Sequence, residues 1–152
     1  MNHSETQGIY WPNLAFAGTL PFIALSMLLI TGSHHGLGMQ GLLLALKSYG
    51  LLIVSFMAGS LWGLHLAHDS GIRRLLAITS NAAALLAWFG FLLVSDRAFL
   101  LLLAGLFVLL LLLDLPLWKQ HLIDARYFRV RLLATTIVAA CLIATASFAS
   151  LI

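Results

Sequence analysis

From residue 14 onward, apolar stretches alternate with short polar connectors, and each stretch is about as long as the 20 residues that a helix needs to cross a bilayer core. They fall at roughly 14–31, 42–67, 75–94, 98–118 and 132–152. The pattern predicts an all-α integral membrane bundle of five transmembrane helices forming a single domain over residues 1–152.

The details of each stretch suggest how the helices meet. Pro21 lies inside the first, where a missing N–H and a crowded carbonyl predict a kink between Ala17 and Pro21 that faces the bundle. The glycine-rich connector 32–41 has no Lys or Arg and reads as an exposed turn on the translocated side. In the second stretch Ser55, Gly59 and Gly63 recur every four residues, a spacing that lets helix backbones approach closely. The segment 48–69 is therefore expected at the centre, packed on the first, third and fifth helices through small residues. Asn81 and Trp88 share a face of the third stretch, and an amide at that depth is expected to turn inward to a partner. The turn Ser95 to Arg97 is short enough to make the third and fourth helices antiparallel neighbours. The fourth is nearly all leucine, which suits the side of a bundle that meets lipid. The fifth carries Ala134, Thr135, Ala139, Ala140, Ala144 and Ser147, again small enough for close packing.

Composition sharpens this picture. Hydrophobic residues make up 62% of the chain and charged residues only 9%, so lipid is its solvent. The net charge of +3 sits in short loops and reports topology, not nucleic-acid binding. With a cytoplasmic N-terminus the inner loops hold Arg73, Arg74, Lys119, Arg126, Arg129 and Arg131, against Arg97 and Lys47 outside. That bias predicts N-terminus inside and C-terminus outside, with a multi-pass location in a bacterial inner (plasma) membrane. Residues 1–13 contain no Lys or Arg and no small-residue cleavage signature follows, so the first stretch is expected to be retained. Cys141 is the single cysteine, which leaves no disulfide framework and no cysteine metal cluster.

Several short sequences carry a resemblance. Leu20, Pro21 and Phe22 in the first stretch; Tyr49, Ser55, Phe56, Gly59, Trp62 and Gly63 in the second; Ala87 and Trp88 in the third; and Arg126, Tyr127, Arg129, Arg131 and Leu132 before the fifth look like one family. Together they resemble the bacterial domain-of-unknown-function family 3429, whose mitochondrial relative is called transmembrane protein 69. The resemblance implies five helices in an inner or mitochondrial-type membrane, and transfers no activity. Two positions depart from the family pattern. Leu61 stands where a histidine precedes the Trp-Gly pair, and a proline of the third helix is replaced near Ser80 and Asn81.

Candidate chemistry is sparse. A pocket between the second and third helices, lined by Ser55, Trp62, His65, Asn81 and Trp88, would suit a quinone, a lipid or haem. For haem, two axial histidines must face each other at one depth, and His34 and His35 are expected on the opposite side from His65 and His68. His65, His68, Asp69, His121 and Asp124 form a weaker metal-ligand set; interfacial polar residues at helix ends have the same composition. Asp114 is costly at its depth unless Arg126, Arg129 or Arg131 reaches it. Those arginines, Lys119 and Tyr127, with Trp118 and Phe128, compose a basic aromatic loop suited to lipid headgroups, a quinone headgroup or a protein partner. No nucleophile triad, nucleotide loop or buried carboxylate pair is present in the sequence, so catalytic residues are not assigned. The first expectation is a non-catalytic accessory or interaction protein of a membrane complex, with lipids and either a protein partner or a second copy of itself around it. A ligand-binding or electron-transfer role is the alternative, and a small transporter the third, since no internal repeat is visible.

Overall fold

The computed structural model describes residues 15–33, 36, 38–67, 73–119 and 123–148, with side chains described except at 62–67 and 73–75. These residues form helices α1 (Leu20–Thr31), α2 (Gly38–Ala67), α3 (Arg73–Leu93), α4 (Asp96–Lys119) and α5 (Ala125–Phe148), with no strand among them. The last four are long and apolar enough to cross a membrane, and a shorter apolar segment, Ala15–Thr31, precedes them.

That first segment is broken, not kinked. A helical turn at 15–17 ends in a tight turn at Gly18 and Thr19, where the Thr19 N–H and hydroxyl both donate to the Phe16 carbonyl, at 2.9 and 2.7 Å. Helix α1 begins afresh with Pro21 in its first turn. There its missing N–H has no intrahelical acceptor to lose, and the strain expected of an interior proline is avoided. At the other end Gly32 takes φ +69°, the left-handed conformation that closes a helix, and donates to the Leu28 carbonyl.

The centre of the bundle is α4, which corrects the expectation of a lipid-facing leucine helix. Phe99, Leu100, Leu103 and Leu110 are completely buried, and α4 packs against α2, α3 and α5. A uniformly apolar helix has no polar face to betray which side meets lipid, and its branched side chains fill the space among three neighbours. Helix α2 packs on α1, α3 and α4; the fifth helix lies mainly on α4 and α1. As the short turn required, α3 and α4 are packed neighbours.

Close approach occurs at glycines other than those expected. A Cβ on Gly50 would lie 2.6 Å from a Leu103 methyl, and one on Gly90 would run into Leu102 and the Phe99 ring. Gly59 has no such neighbour within 4 Å among the described residues. Gly63 lies where side-chain surroundings are not described.

Lys47 is not an exposed charge at a helix start. Helix α2 begins at Gly38, so Lys47 is well inside it, buried, with Nζ 2.6 Å from Asp96 Oδ1 and over the rings of Phe91 and Phe99 at 5.0 and 5.5 Å. Asp96 sits in the first turn of α4, where the helix dipole favours an anion. Asp96→Ala strands this cation and is expected to cost about 1–2 kcal/mol, whereas Lys47→Met should stay within about 1 kcal/mol of the parent. Unfolding by SDS titration in mixed micelles measures both.

Candidate functional site

On the α1 side of the bundle, small residues leave room that large ones do not fill. Ala15 and Gly18 stand before α1, and Ala134 and Thr135 stand on α5. Between them lies a cavity of about 540 Å³, floored by Phe22 of α1 and Phe107 of α4 and walled on α2 by Ile53, Phe56, Met57 and Ser60. Phe22 is held from behind by Tyr49, with ring centres 5.0 Å apart, and meets Phe107 edge-on at 5.7 Å. The Tyr49 hydroxyl donates to the Gly18 carbonyl at 3.0 Å and ties the turn before α1 to α2.

Most of the lining is apolar, and two of its hydroxyls are occupied locally. Thr19 donates to Phe16, and Ser60 donates to the Met57 carbonyl at 2.7 Å. The polar character is concentrated on α5, where Tyr127, Arg131 and Thr135 succeed one another at four-residue spacing and so share a face. Arg131 is anchored by Asp114 of α4. Its Nε donates to Asp114 Oδ2 at 2.9 Å, and the carboxylate is 1% exposed. The Arg131 Nη2, also buried, has no hydrogen-bond partner among the described residues. Of the three arginines in reach by sequence, Arg131 is the one whose ion pair with Asp114 forms; it neutralises a carboxylate that would be costly alone in an apolar interior.

This cavity is not the one expected between α2 and α3. Ser55, Asn81 and Trp88 are all exposed, and none lines the cavity. The expectation that Asn81 turns inward is corrected: its Nδ2 donates to the Ala77 carbonyl of its own helix at 3.0 Å, so it needs no partner across an interface. The buried stripe of α3 is Leu76, Ser80, Ala83 and Ala87, which puts Asn81 and Trp88 on its flank, with Trp88 edge-on against Phe89 at 4.8 Å. The side chains of Trp62 and His65 lie outside those described.

In the metal-ligand set, His68, Asp69 and His121 lie outside the described residues, as do His34 and His35. Asp124 is exposed, and its carbonyl accepts from Phe128 N at the start of α5. No group of three or more metal-ligating side chains occurs among the described residues. In the basic loop, Lys119, Arg126 and Arg129 are exposed at one end of the bundle, while Trp118 stacks flat on Phe128 at 5.1 Å. The departure at Leu61 has a structural counterpart, because that side chain is 1% exposed in the apolar core.

Sequence reasoning named Tyr127 and Arg131 as loop residues and missed the cavity they line. The signal was available in the four-residue spacing from Tyr127 through Arg131 to Thr135, read as the start of a helix face. A family profile described as a protein of unknown function (DUF3429) matches residues 10–147. No curated protein and no solved structure matches the chain.

Proposed function

This chain belongs to the DUF3429 family, and from that premise we propose that it is a non-catalytic multi-pass membrane protein that holds one amphiphilic molecule, a lipid or a quinone, between α1, α2, α4 and α5. The family carries no described activity, so the chemistry has to come from the site. One observation carries the reading: a cavity of about 540 Å³ that is apolar nearly throughout and has an anchored arginine in its wall. Its size falls in the range of about 300–1,000 Å³ usual for small-molecule sites, and their usual makeup is an apolar wall with a few placed polar groups. The burial of Asp114 and its pairing with Arg131 support holding a ligand over moving one, since no further ionisable side chain lines the cavity among the described residues beyond Arg131 and Tyr127.

The orientation we propose has the N-terminus inside a bacterial inner membrane. Withdrawing Lys47 into an internal pair strengthens the positive-inside bias, because Arg97 then remains the one basic residue assigned to the outer side. In that orientation Tyr127 and Arg131 stand near the cytoplasmic leaflet, and the tail of the ligand extends toward the bilayer centre.

Native mass spectrometry of protein extracted gently from its own membrane tests this. The expected spectrum shows one amphiphile mass per chain, and Ala134→Trp, which fills the cavity from α5, removes it. An adduct unchanged in that variant, or a chain that carries none, overturns the reading.

A second reading is favoured by a separate observation. Ser55, Phe56 and Gly59 are exposed on α2, with open space at Gly59 among the described residues, which would seat a partner helix in an accessory role. The same spectra address it: a second polypeptide or copy at fixed stoichiometry, lost in Gly59→Leu, supports it.

A further inference from the structure

Resting on the reading that the cavity holds an amphiphile, we propose that the occupant has a neutral head presenting a carbonyl oxygen to Arg131, and that Asp114 is the residue that excludes anionic heads. The argument is one of charge balance. The guanidinium carries one positive charge, and Asp114, 2.9 Å from its Nε, supplies one negative charge almost wholly withdrawn from solvent. The pair is neutral before any ligand arrives. A carboxylate, sulfonate or phosphate head would add an uncompensated charge beside the buried Asp114 carboxylate, in a lining whose other polar side chains are the neutral hydroxyls of Thr19, Ser60, Tyr127 and Thr135.

A carbonyl oxygen needs only a donor, and Arg131 is rich in donors. A guanidinium has five N–H groups, of which the one on Nε is engaged by Asp114 and those on Nη2 have no partner among the described residues. A carbonyl oxygen meeting the edge of the guanidinium that lines the cavity would offset part of the cost of burying the group. Asp114 also fixes the fork: it sits on α4, the most enclosed helix, and restrains the guanidinium from α5 across the interface. It acts through Arg131 and is a positioning and selectivity residue. The aromatic floor of Phe22 and Phe107 accepts either a flat ring or an acyl chain, so the shared chemistry is a neutral carbonyl head on an apolar body. A quinone and a neutral acyl ester both have it.

The test is equilibrium competition against tritiated methyl palmitate on full-length protein in one detergent, with three competitors: unlabelled methyl palmitate, a decyl-substituted benzoquinone, and hexadecylsulfonate, whose charge is permanent. Wild-type protein is expected to favour the neutral probes over the sulfonate by about tenfold or more. Asp114→Asn keeps an acceptor for Nε while freeing the positive charge, and is expected to lower that preference by about tenfold or to invert it. Micelle partitioning cancels in the comparison between the two proteins. Sulfonate binding as tightly as the neutral probes to wild-type protein overturns the proposal while leaving the cavity reading intact. Binding of no probe at all overturns both. If Asp114→Asn does not fold, the wild-type preference decides alone. The more effective neutral competitor, and the quinone absorbance or ester mass in an organic extract of the purified protein, separate the two sources.

Discussion

Asp114→Ala is expected to lower the free energy of unfolding by about 3–5 kcal/mol. The magnitude follows from what stays behind. Arg131 has a side chain only 13% exposed, and its charge partner among the described residues is the Asp114 carboxylate at 2.9 Å. Removing that carboxylate leaves a guanidinium in apolar surroundings with Nε and Nη2 both unbonded. The helix interface between α4 and α5 must then open to admit water, or the arginine must leave it. The double variant Asp114→Ala with Arg131→Met is expected to recover most of the loss, because a neutral thioether fills the space without a charge to solvate. SDS titration in mixed micelles, run as a double-mutant cycle, reads both values. A single variant within about 1 kcal/mol of the parent would mean that the pair is solvated and that the cavity wall is wetter than its lining indicates.

Gly90→Leu is expected to cost about 2–3 kcal/mol or more, while Gly59→Leu changes the stability of the isolated chain by less than about 0.5 kcal/mol. A Cβ at position 90 already collides with Leu102 and comes within 3.2 Å of the Phe99 ring, and that ring is completely buried at the centre of the bundle. Leu102 can swing its methyls aside, but Phe99 is packed edge-on against Phe91 at 5.6 Å and sits beneath Lys47. A leucine at 90 therefore has to push α3 away from α4 along with the residues packed on both. At Gly59 nothing among the described residues lies within 4 Å, so a larger side chain there is expected to meet lipid or a partner and not the core described here. Equal losses at the two sites would place Gly59 in an intramolecular contact and would refute the packing described here.

The contrast between those glycines shows how far sequence reading reaches. The repeat of Ser55, Gly59 and Gly63 is a real pattern, yet a small residue marks only the possibility of close approach. Whether a neighbour comes depends on a helix far away in sequence. Gly50 and Gly90 stand in no such repeat and are the ones that meet Leu103 and Leu102. Asn81 departs from its expectation for a related reason: a polar group inside a membrane must be satisfied, but its own helix can supply the acceptor, and Ala77 does. Asp114 meets its expectation because a carboxylate has no such local remedy. Only a cation could answer it, and α5 begins with three arginines.

What the sequence by itself determined is the solvent and the class: long apolar runs between short polar connectors make a helical membrane protein, because backbone polar groups in lipid have to be satisfied within each segment. It determined also that the third and fourth helices are neighbours and that Asp114 needs an arginine. Only the tertiary structure decided that the leucine-rich helix is central, that Lys47 meets Asp96, and that Tyr127 and Arg131 line a cavity. The physical reason is that hydropathy measures distaste for water, and a leucine is as well placed against lipid as against another leucine. Water decides which residues leave the aqueous phase; which of them then touch one another is settled by shape and by the few charges carried along.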